Sequence, residues 1–179
     1  AIYQWEPGAG SDIVGGQAGT HSLLFNGSAG DEIMEASANG GRARFTRNLG
    51  NIVMDLDDME TLSVKALGGA DRINVNDLTG TDVTRVAIDL AGAIGGTTGD
   101  GKADTVIVNA TNGNDIIDVF GAGTSVSVLG LSARVDITNS EGANDSLVIN
   151  GLGGNVGITP TSLPAGVIKV KVVGGGGGH

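Results

Sequence analysis

The sequence predicts an all-β fold: a parallel β-helix, or β-solenoid, built from an approximate tandem duplication. Three observations support this prediction, namely short runs of alternating apolar and polar residues, glycine-rich corners and an internal repeat. Of the 179 residues, 40% are hydrophobic and 33 are glycine. Because so much glycine occurs together with abundant aliphatic residues and without a collagen period, it indicates corners between strands rather than disorder.

About a dozen runs have the period-two alternation of a half-buried strand. In chain order they are SLLFN, RARFTR, NIVMDL, LSVKAL, DRINVND, TRVAIDL, DTVIVN, DIIDVF, SVSVLG, RVDITN, SLVING and GVIKVKVV. Asn-Gly pairs at 26, 39, 112 and 150, with several Gly-Gly and Thr-Gly pairs, lie between these runs. Such pairs adopt positive φ at low cost, as a sharp corner requires. Almost no helix is expected.

The second half of the chain repeats the first with a shift of roughly 85 residues. We predict a single repetitive domain over 1–179, with approximate repeats at 22–90 and 105–173 and a Gly-rich tail or artificial end at 174–179. The positions that match across the repeat are Leu62, Leu67, Gly68, Gly69, Ile73 and Leu78, against Leu147, Leu152, Gly153, Gly154, Ile158 and Leu163.

A weaker repeat consists of strands led by aspartate, at Asp31, Asp71, Asp104 and Asp145, which lie roughly 33 to 41 residues apart. This span is compatible with one three-sided coil or one sheet layer. Repeated units need neighbours to bury their apolar faces, which favours the β-helix. The clean alternation also fits antiparallel sheets with one solvated face, so an antiparallel β-sandwich is the alternative.

The charge balance excludes several kinds of partner. The net charge is −10, from 20 acidic and 10 basic residues, so we expect no nucleic-acid partner. No apolar run reaches membrane-spanning length, and membrane insertion is not expected. The chain has no cysteine, which excludes disulfides and thiolate metal sites. The opening AIYQWEPGAG lacks the basic start and apolar core of a signal peptide, and we expect a fragment of a longer protein.

The chain resembles a module found in large bacterial proteins that carry haemolysin-type (RTX) calcium-binding repeats. The resemblance covers nearly all of the chain and rests on YQWEPGAGSDIVGGQAGTHSLLFNG, ANGGRARFTRNLGNIVMDL, ALGGADRINVNDLTGTDV, IDLAG, GDGKADTVIVNATNGNDII, SVSVLGL and VDITNSEGANDSLVINGLGG. In such proteins the module precedes glycine- and aspartate-rich nonapeptide repeats. The resemblance implies a secreted or surface-exposed bacterial protein and an association with calcium. It implies no enzymatic activity.

Three glycine-rich corners carry oxygen ligands of the kind that calcium prefers. GDGKADTV offers Asp100 and Asp104, and LGGADRIN offers Asp71 behind a glycine pair. TNGNDIID offers Asn112, Asn114 and Asp115. None of these corners is a complete nonapeptide. The simpler interpretation is that the aspartates cap turns by accepting bonds from nearby backbone N–H groups.

The densest acidic patch is DLDDME, with Asp55, Asp57, Asp58 and Glu60. Alternate residues of a strand share a face, so Asp55 and Asp57 are expected to point together. The patch is either a shallow cation site or a solvated strand end.

The sequence offers little for catalysis. His21 is the only internal histidine, and no serine lies in a G-x-S-x-G elbow. Arg42 and Arg44 are expected to share one strand face, with Arg47 on the other, and such arginines could bind an acidic sugar. We therefore expect a non-catalytic structural or spacer module that calcium could stabilise. The alternatives are a self-assembling or adhesive module that pairs through its open ends, and a polysaccharide-active enzyme.

Overall fold

The computed structural model describes residues 1–154 and 156–173, which form strands and, within those ranges, no helix. The predicted tail at 174–179 lies outside the described residues. The strands are β1 (Ile2–Trp5), β2 (Asp12–Gly15), β3 (Ser22–Asn26), β4 (Ile33–Asn39), β5 (Arg42–Arg47), β6 (Ile52–Asp57), β7 (Thr61–Lys65), β8 (Arg72–Val75), β9 (Arg85–Asp89), β10 (Thr105–Asn109), β11 (Asp115–Ala122), β12 (Ser125–Leu129), β13 (Arg134–Thr138), β14 (Ser146–Asn150), β15 (Val156–Ser162) and β16 (Lys169–Val173). The all-β prediction is confirmed.

The strands form two mixed sheets of eight. Sheet A has the order β1-β3-β7-β9-β13-β12-β11-β15, and sheet B has the order β16-β14-β10-β8-β4-β5-β6-β2. Neighbouring strands are parallel except in the meanders β4-β5-β6 and β11-β12-β13, which are antiparallel. The predicted parallel β-helix is not confirmed, because these hairpins keep the chain within one sheet for three strands. Two sheets are compatible with the sandwich-like alternative, although most of the strand pairs are parallel.

Strands β3 to β9 and strands β10 to β16 pair in the same order, with the two sheets exchanged. The parallel set β3-β7-β9 of sheet A corresponds to β10-β14-β16 of sheet B. The meander β4-β5-β6 of sheet B corresponds to β11-β12-β13 of sheet A. This order is compatible with repeats at 22–90 and 105–173, whose origin by duplication stays a prediction.

The core is formed by the inward-facing residues of both sheets. In β7, for example, Leu62 and Val64 are buried while the residues between them are half-buried. Burying one such aliphatic side chain contributes about 1.5–3 kcal/mol. Near the edge formed by β1, the core becomes aromatic: Trp5 stacks on Phe25 at 4.1 Å between ring centroids, and Phe45 lies 4.6 Å from Phe25.

An asparagine ladder crosses sheet B where β8, β10 and β14 end. The Asn109 side-chain amide donates to Asn76 Oδ1 at 2.7 Å, and the Asn150 amide donates to Asn109 Oδ1 at 2.8 Å. Such a ladder requires adjacent parallel strands in register, which the pairing of β10 with both neighbours provides. The sequence showed only that each asparagine followed an apolar run.

The glycine pair Gly68-Gly69 forms a corner in which only the second glycine is irreplaceable. Gly69 has φ +93°, and a Cβ there would lie 2.5 Å from the Gly30 carbonyl oxygen. At Gly68 a Cβ would meet its nearest atom, Ala29 Cα, at 3.2 Å. We expect Gly69→Ala to lower the free energy of unfolding by on the order of 2 kcal/mol, because it combines backbone strain with a backbone clash.

Urea denaturation of both variants tests this difference. The matched control, Gly68→Ala, is expected to cost clearly less, since its neighbour needs to shift by only a few tenths of an ångström. Equal losses in the free energy of unfolding for Gly69→Ala and Gly68→Ala would contradict the greater structural need for glycine at position 69. The second repeat keeps the glycine pair as Gly153-Gly154 but has Val156 in place of Asp71, which fits an architectural role for the glycines.

Candidate metal site

Four acidic residues lie side by side at the N-terminal ends of four adjacent strands of sheet B. Glu32, Asp71, Asp104 and Asp145 each come directly before a strand, and those strands, β4, β8, β10 and β14, are adjacent and parallel. The register pairs the residues that follow them, so the four acids lie side by side. Their exposed fractions are 1%, 2%, 1% and 0%. We call this set the carboxylate column.

One oxygen of each aspartate in the column holds the neighbouring strand. Asp71 Oδ1 accepts a bond from the Glu32 backbone N–H at 2.9 Å, and Asp104 Oδ1 accepts one from the Asp71 N–H at 2.9 Å. Asp145 Oδ1 accepts from the Asp104 N–H at 3.0 Å. These bonds satisfy backbone donors that would otherwise be buried without a partner. Through these Oδ1 bonds, which span 33 to 41 residues, the aspartates hold adjacent strands together rather than capping their own turns.

The second oxygens differ between the ends and the middle of the column. At the ends, Glu32 is ion-paired with Arg47, and Asp145 Oδ2 accepts from the Glu141 N–H at 2.7 Å. In the middle, the Oδ2 atoms of Asp71 and Asp104 are buried and have no hydrogen-bond partner. Asp100 Oδ2, in the loop before β10, is likewise buried and unpartnered. Three carboxylate oxygens thus lack the partners that buried polar atoms normally have.

The column is electrostatically unfavourable as a set of free anions. Burial raises the pKa of Asp71 to about 8, and the nearby carboxylates of Asp104 and Glu32 add to the effect. Burial likewise raises the pKa of Asp104 to about 7 and raises the pKa of Asp145. Among the described residues, no ion pair reaches Asp71, Asp104 or Asp145. Such a column is stable only if it binds protons or a cation.

The structure brings together half of the metal ligands predicted from the sequence. Asp100 acts on the pKa of both Asp71 and Asp104, so these three predicted ligands lie within electrostatic reach of one another. The predicted ligands Asn112, Asn114 and Asp115 lie beyond the other end of β10. A five-residue strand spans roughly 17 Å, which separates the two sets.

Two of the second set of predicted ligands have hydrogen-bond partners. The Asp115 carboxylate accepts from the Thr111 backbone N–H at 2.9 Å and from the Thr111 hydroxyl at 2.8 Å. Asn112 Oδ1 accepts from the Gly153 N–H at 3.3 Å. Asp115 therefore caps its own turn, and Asn112 links this corner to the corner at Gly153.

The sequence prediction missed three acidic members of this site. It assigned Asp31 to the position directly before β4, which Glu32 occupies in the structure. Asp31 is exposed and accepts a bond from the Ala70 N–H at 2.8 Å. It identified Asp145 only as a strand leader, and it did not consider Glu141, which accepts from the Gly101 N–H at 2.9 Å. The available signal was an acidic residue directly before each of four strands, β4, β8, β10 and β14.

A second acidic group lies at the end of β6. Oxygens of Asp57, Asp58 and Asp82 lie within 4.8 Å of one another, the only such group of three within the described residues. Asp82 comes from the loop between β8 and β9, and the sequence did not predict it. The Arg42 guanidinium lies 3.3 Å from Asp57, which supplies a counter-charge. All three residues are accessible to solvent, so this group lacks the unpartnered buried oxygens of the column.

Comparison with known proteins gives no assignment: no family model, curated protein or solved structure matches this chain. The resemblance to a module of haemolysin-type calcium-binding proteins therefore stays an expectation. In the part of the chain that the structure describes, no helix has the length and hydropathy needed to cross a membrane.

Proposed function

We propose that this chain is a non-catalytic structural module of a secreted or surface-exposed bacterial protein, stabilised by calcium at the carboxylate column. The observation that carries the proposal is the set of three buried, unpartnered oxygens on Asp71, Asp100 and Asp104. A bound cation would supply both the missing partner and the missing counter-charge.

Calcium is the cation that suits these donors best. It takes six to eight oxygen ligands in flexible geometry, whereas magnesium demands a small, near-octahedral site. The three carboxylates do not bring their oxygens within 4.8 Å of one another. Binding therefore requires the loop that carries Asp100 to draw closer to the column, and backbone carbonyls or water complete the coordination. Gly99 and Gly101, on either side of Asp100, have a wider range of backbone conformations than other residues, which favours this movement.

The remaining structure supports a spacer rather than an enzyme. His21 is engaged locally, with Nε2 3.0 Å from the Ala18 carbonyl oxygen. Of the three arginines considered for acidic sugars, Arg47 is buried in its ion pair and Arg42 is paired with Asp55, whereas Arg44 is exposed. Eight strands at about 4.8 Å spacing give a rigid stack roughly 35 Å long.

The same chemistry supports the proposed secreted location. Calcium is scarce in the cytoplasm and abundant outside the cell. A module that needs calcium to offset buried charge would be less stable before export and more stable afterwards. This argument rests on the column and on the resemblance to haemolysin-type proteins.

Self-association is a second candidate, favoured by the edge strands β1 and β2. Ile2 on β1 and Ile13 on β2 are 72% and 74% exposed. Both strands end a sheet and present unpaired backbone groups to solvent. Light scattering over a range of concentrations tests this candidate, and a monomer at every concentration would exclude it.

Calcium at about 100 times its dissociation constant is expected to stabilise the chain by about 2.7 kcal/mol. This corresponds to a rise in Tm of roughly 5 to 10 °C for a chain of this size. The measurement is a thermal melt at pH 8 with calcium, with magnesium and with a chelator. Magnesium is expected to give a smaller rise.

Two variants decide whether the rise comes from the column. Asp104→Asn keeps an oxygen for the Asp71 N–H but removes the charge, and it is expected to abolish most of the calcium effect. Asp12→Asn, at an exposed position in β2, is expected to keep it. Identical wild-type midpoints with calcium and with chelator would overturn the proposed function.

A further inference from the structure

The outer face of sheet A contains a groove that lies apart from the carboxylate column. Its floor is a row of short side chains that crosses adjacent strands: the register places Ser63 of β7 beside Ala87 of β9, and Ala87 beside Asp136 of β13. Residues two positions away on each strand share this face. Thr61, Arg85 and Arg134 therefore form one wall.

The opposite wall consists of Lys65, Asp89 and Thr138, which the register also places side by side. The groove has a volume of about 200 Å³ and ends at Leu24 of β3. Beyond Asp136 it continues into an open hollow of about 340 Å³ that includes Ser127 and Arg134. Long side chains on both walls and short ones between them give a trough that runs across the strands.

Asp136 holds the two arginines of the groove in place. Its carboxylate accepts bonds from Arg85 Nε at 2.6 Å, from Arg134 Nη2 at 2.9 Å and from the Ser127 hydroxyl at 2.7 Å. Although burial alone would raise the pKa of Asp136, these three bonds hold it below its usual value. Asp136 is therefore an anion at neutral pH and orients both guanidinium groups.

The arginines keep donors free for a ligand. Arg85 uses only Nε for Asp136, and no bond among the described residues engages its two terminal nitrogens. Arg134 uses both Nε, at 3.3 Å, and Nη2, at 2.9 Å, for Asp136, which leaves its Nη1 for a ligand. The Arg85 and Arg134 side chains are 49% and 45% exposed. With Lys65, the groove has three cations against the two anions Asp89 and Asp136, in a chain whose net charge is −10. The excess positive charge favours an anionic ligand.

We propose that this groove binds a carboxylated sugar, whose carboxylate is held by Arg85 and Arg134 and whose hydroxyls are held by the opposite wall. A guanidinium fork matches a carboxylate, and anchoring by Asp136 reduces the entropy lost on binding. On the opposite wall Asp89 is already engaged: its Oδ1 accepts from the Ala91 N–H and the Asn139 amide, and its Oδ2 lies 3.4 Å from Lys65 Nζ. The remaining Lys65 donors and the Thr138 hydroxyl are the groups that this wall offers to sugar hydroxyls. The flat floor at Ser63 and Ala87 leaves room for a sugar ring but offers no deep apolar pocket for a peptide side chain.

Calorimetric titration with a trisaccharide of galacturonic acid, in the presence of a chelator, tests the proposal. The wild type is expected to bind the acid form, and its methyl ester is expected to bind at least about tenfold more weakly because it lacks the charge-assisted bonds. Asp104→Asn, which alters the carboxylate column, is expected to bind the trisaccharide like the wild type. This result keeps the groove separate from the proposed calcium function.

Two variants of the groove and one matched control complete the test. Arg85→Gln removes the fork, and Ala87→Gln fills the floor without changing the charge; each is expected to weaken binding by about tenfold or more. Lys171→Gln removes the same charge from an exposed position of β16 in sheet B and is expected to bind like the wild type. Equal affinities for Arg85→Gln and Lys171→Gln would overturn the proposal. So would equal binding of the methyl ester, or tighter binding of triglutamate than of the trisaccharide.

Discussion

In the presence of a chelator, the free energy of unfolding is expected to fall by on the order of 5 kcal/mol between pH 5 and pH 9. The cause is the carboxylate column. Burial raises the pKa of Asp71 to about 8 and the pKa of Asp104 to about 7. An unfolded chain has ordinary aspartate pKa values near 3.9.

The direction of this effect follows from proton binding. Between about pH 4 and pH 8, the folded chain holds protons on Asp71 and Asp104 that the unfolded chain has already released. Each rise in pH therefore favours the unfolded chain, until both carboxyls ionise in the folded state as well. The stabilising contribution is complete below the unfolded pKa and is lost as the pH rises through the folded values. Ion-paired aspartates act in the opposite sense and at lower pH, because their depressed pKa values reduce stability only below about pH 5.

Urea unfolding at several pH values measures the slope. The double variant Asp71→Asn and Asp104→Asn keeps side-chain oxygens for the Glu32 and Asp71 N–H groups but cannot ionise. It is expected to show a much flatter profile and to exceed the wild type in stability at pH 9. A wild-type profile that stays flat, or rises, from pH 5 to pH 9 would contradict the assignment of these carboxyls as protonated when the cation is absent.

Arg47→Met is expected to lower the free energy of unfolding by about 3 to 5 kcal/mol. Arg47 is 7% exposed, and its Nε is ion-paired with Glu32, the first member of the carboxylate column. Its other nitrogens donate to the Leu49 carbonyl at 3.1 Å and to the Ser28 hydroxyl at 3.2 Å. The guanidinium carbon also lies 5.2 Å from the centre of the Trp5 ring. Removal of the arginine leaves a buried carboxylate without its cation.

A second variant separates the lost charge pair from lost packing. Arg47→Met combined with Glu32→Gln removes both charges and keeps an oxygen for the Ser28 N–H, which Glu32 accepts at 2.8 Å. The double variant is expected to recover about half of the loss. The control Arg42→Met disrupts a half-exposed pair with Asp55 and is expected to cost less than about 1 kcal/mol. A double variant no more stable than Arg47→Met would show that packing, and not charge, dominates.

The sequence predicted twelve strands, and each corresponds to a strand of the structure. It missed β1, β2, β4 and β15. Strands β1 and β2 are four-residue edge strands whose residues are mostly exposed, so they lack a clean alternation. In β4 the inward residues include the small Ala36, and the run IMEASAN has no strong β-forming pattern. Alternation reports burial on one face of a sheet, and β1 and β2 each bury a single residue, Trp5 and Val14.

The arginines of RARFTR show which local inference succeeded. The period of two predicted Arg42 and Arg44 on one face and Arg47 on the other, and the structure places Arg47 in the interior and Arg42 at the surface. The local sequence pattern could not identify Glu32 as the buried partner of Arg47. Glu32 lies fifteen residues away on an adjacent part of sheet B, and only the antiparallel pairing of β4 with β5 brings the two together.

What the sequence determined by itself was the all-β class, the positions of most strands and corners, and three candidate ligands, Asp71, Asp100 and Asp104. These follow from local properties: the two-residue period of a strand, the freedom of glycine at positive φ and the chemistry of carboxylates. The tertiary structure decided the parallel and antiparallel pairing, and with it the stacking of Glu32, Asp71, Asp104 and Asp145. The physical reason is that register between strands distant in sequence depends on which apolar faces pack together, and that choice is made by the whole core rather than by any one segment.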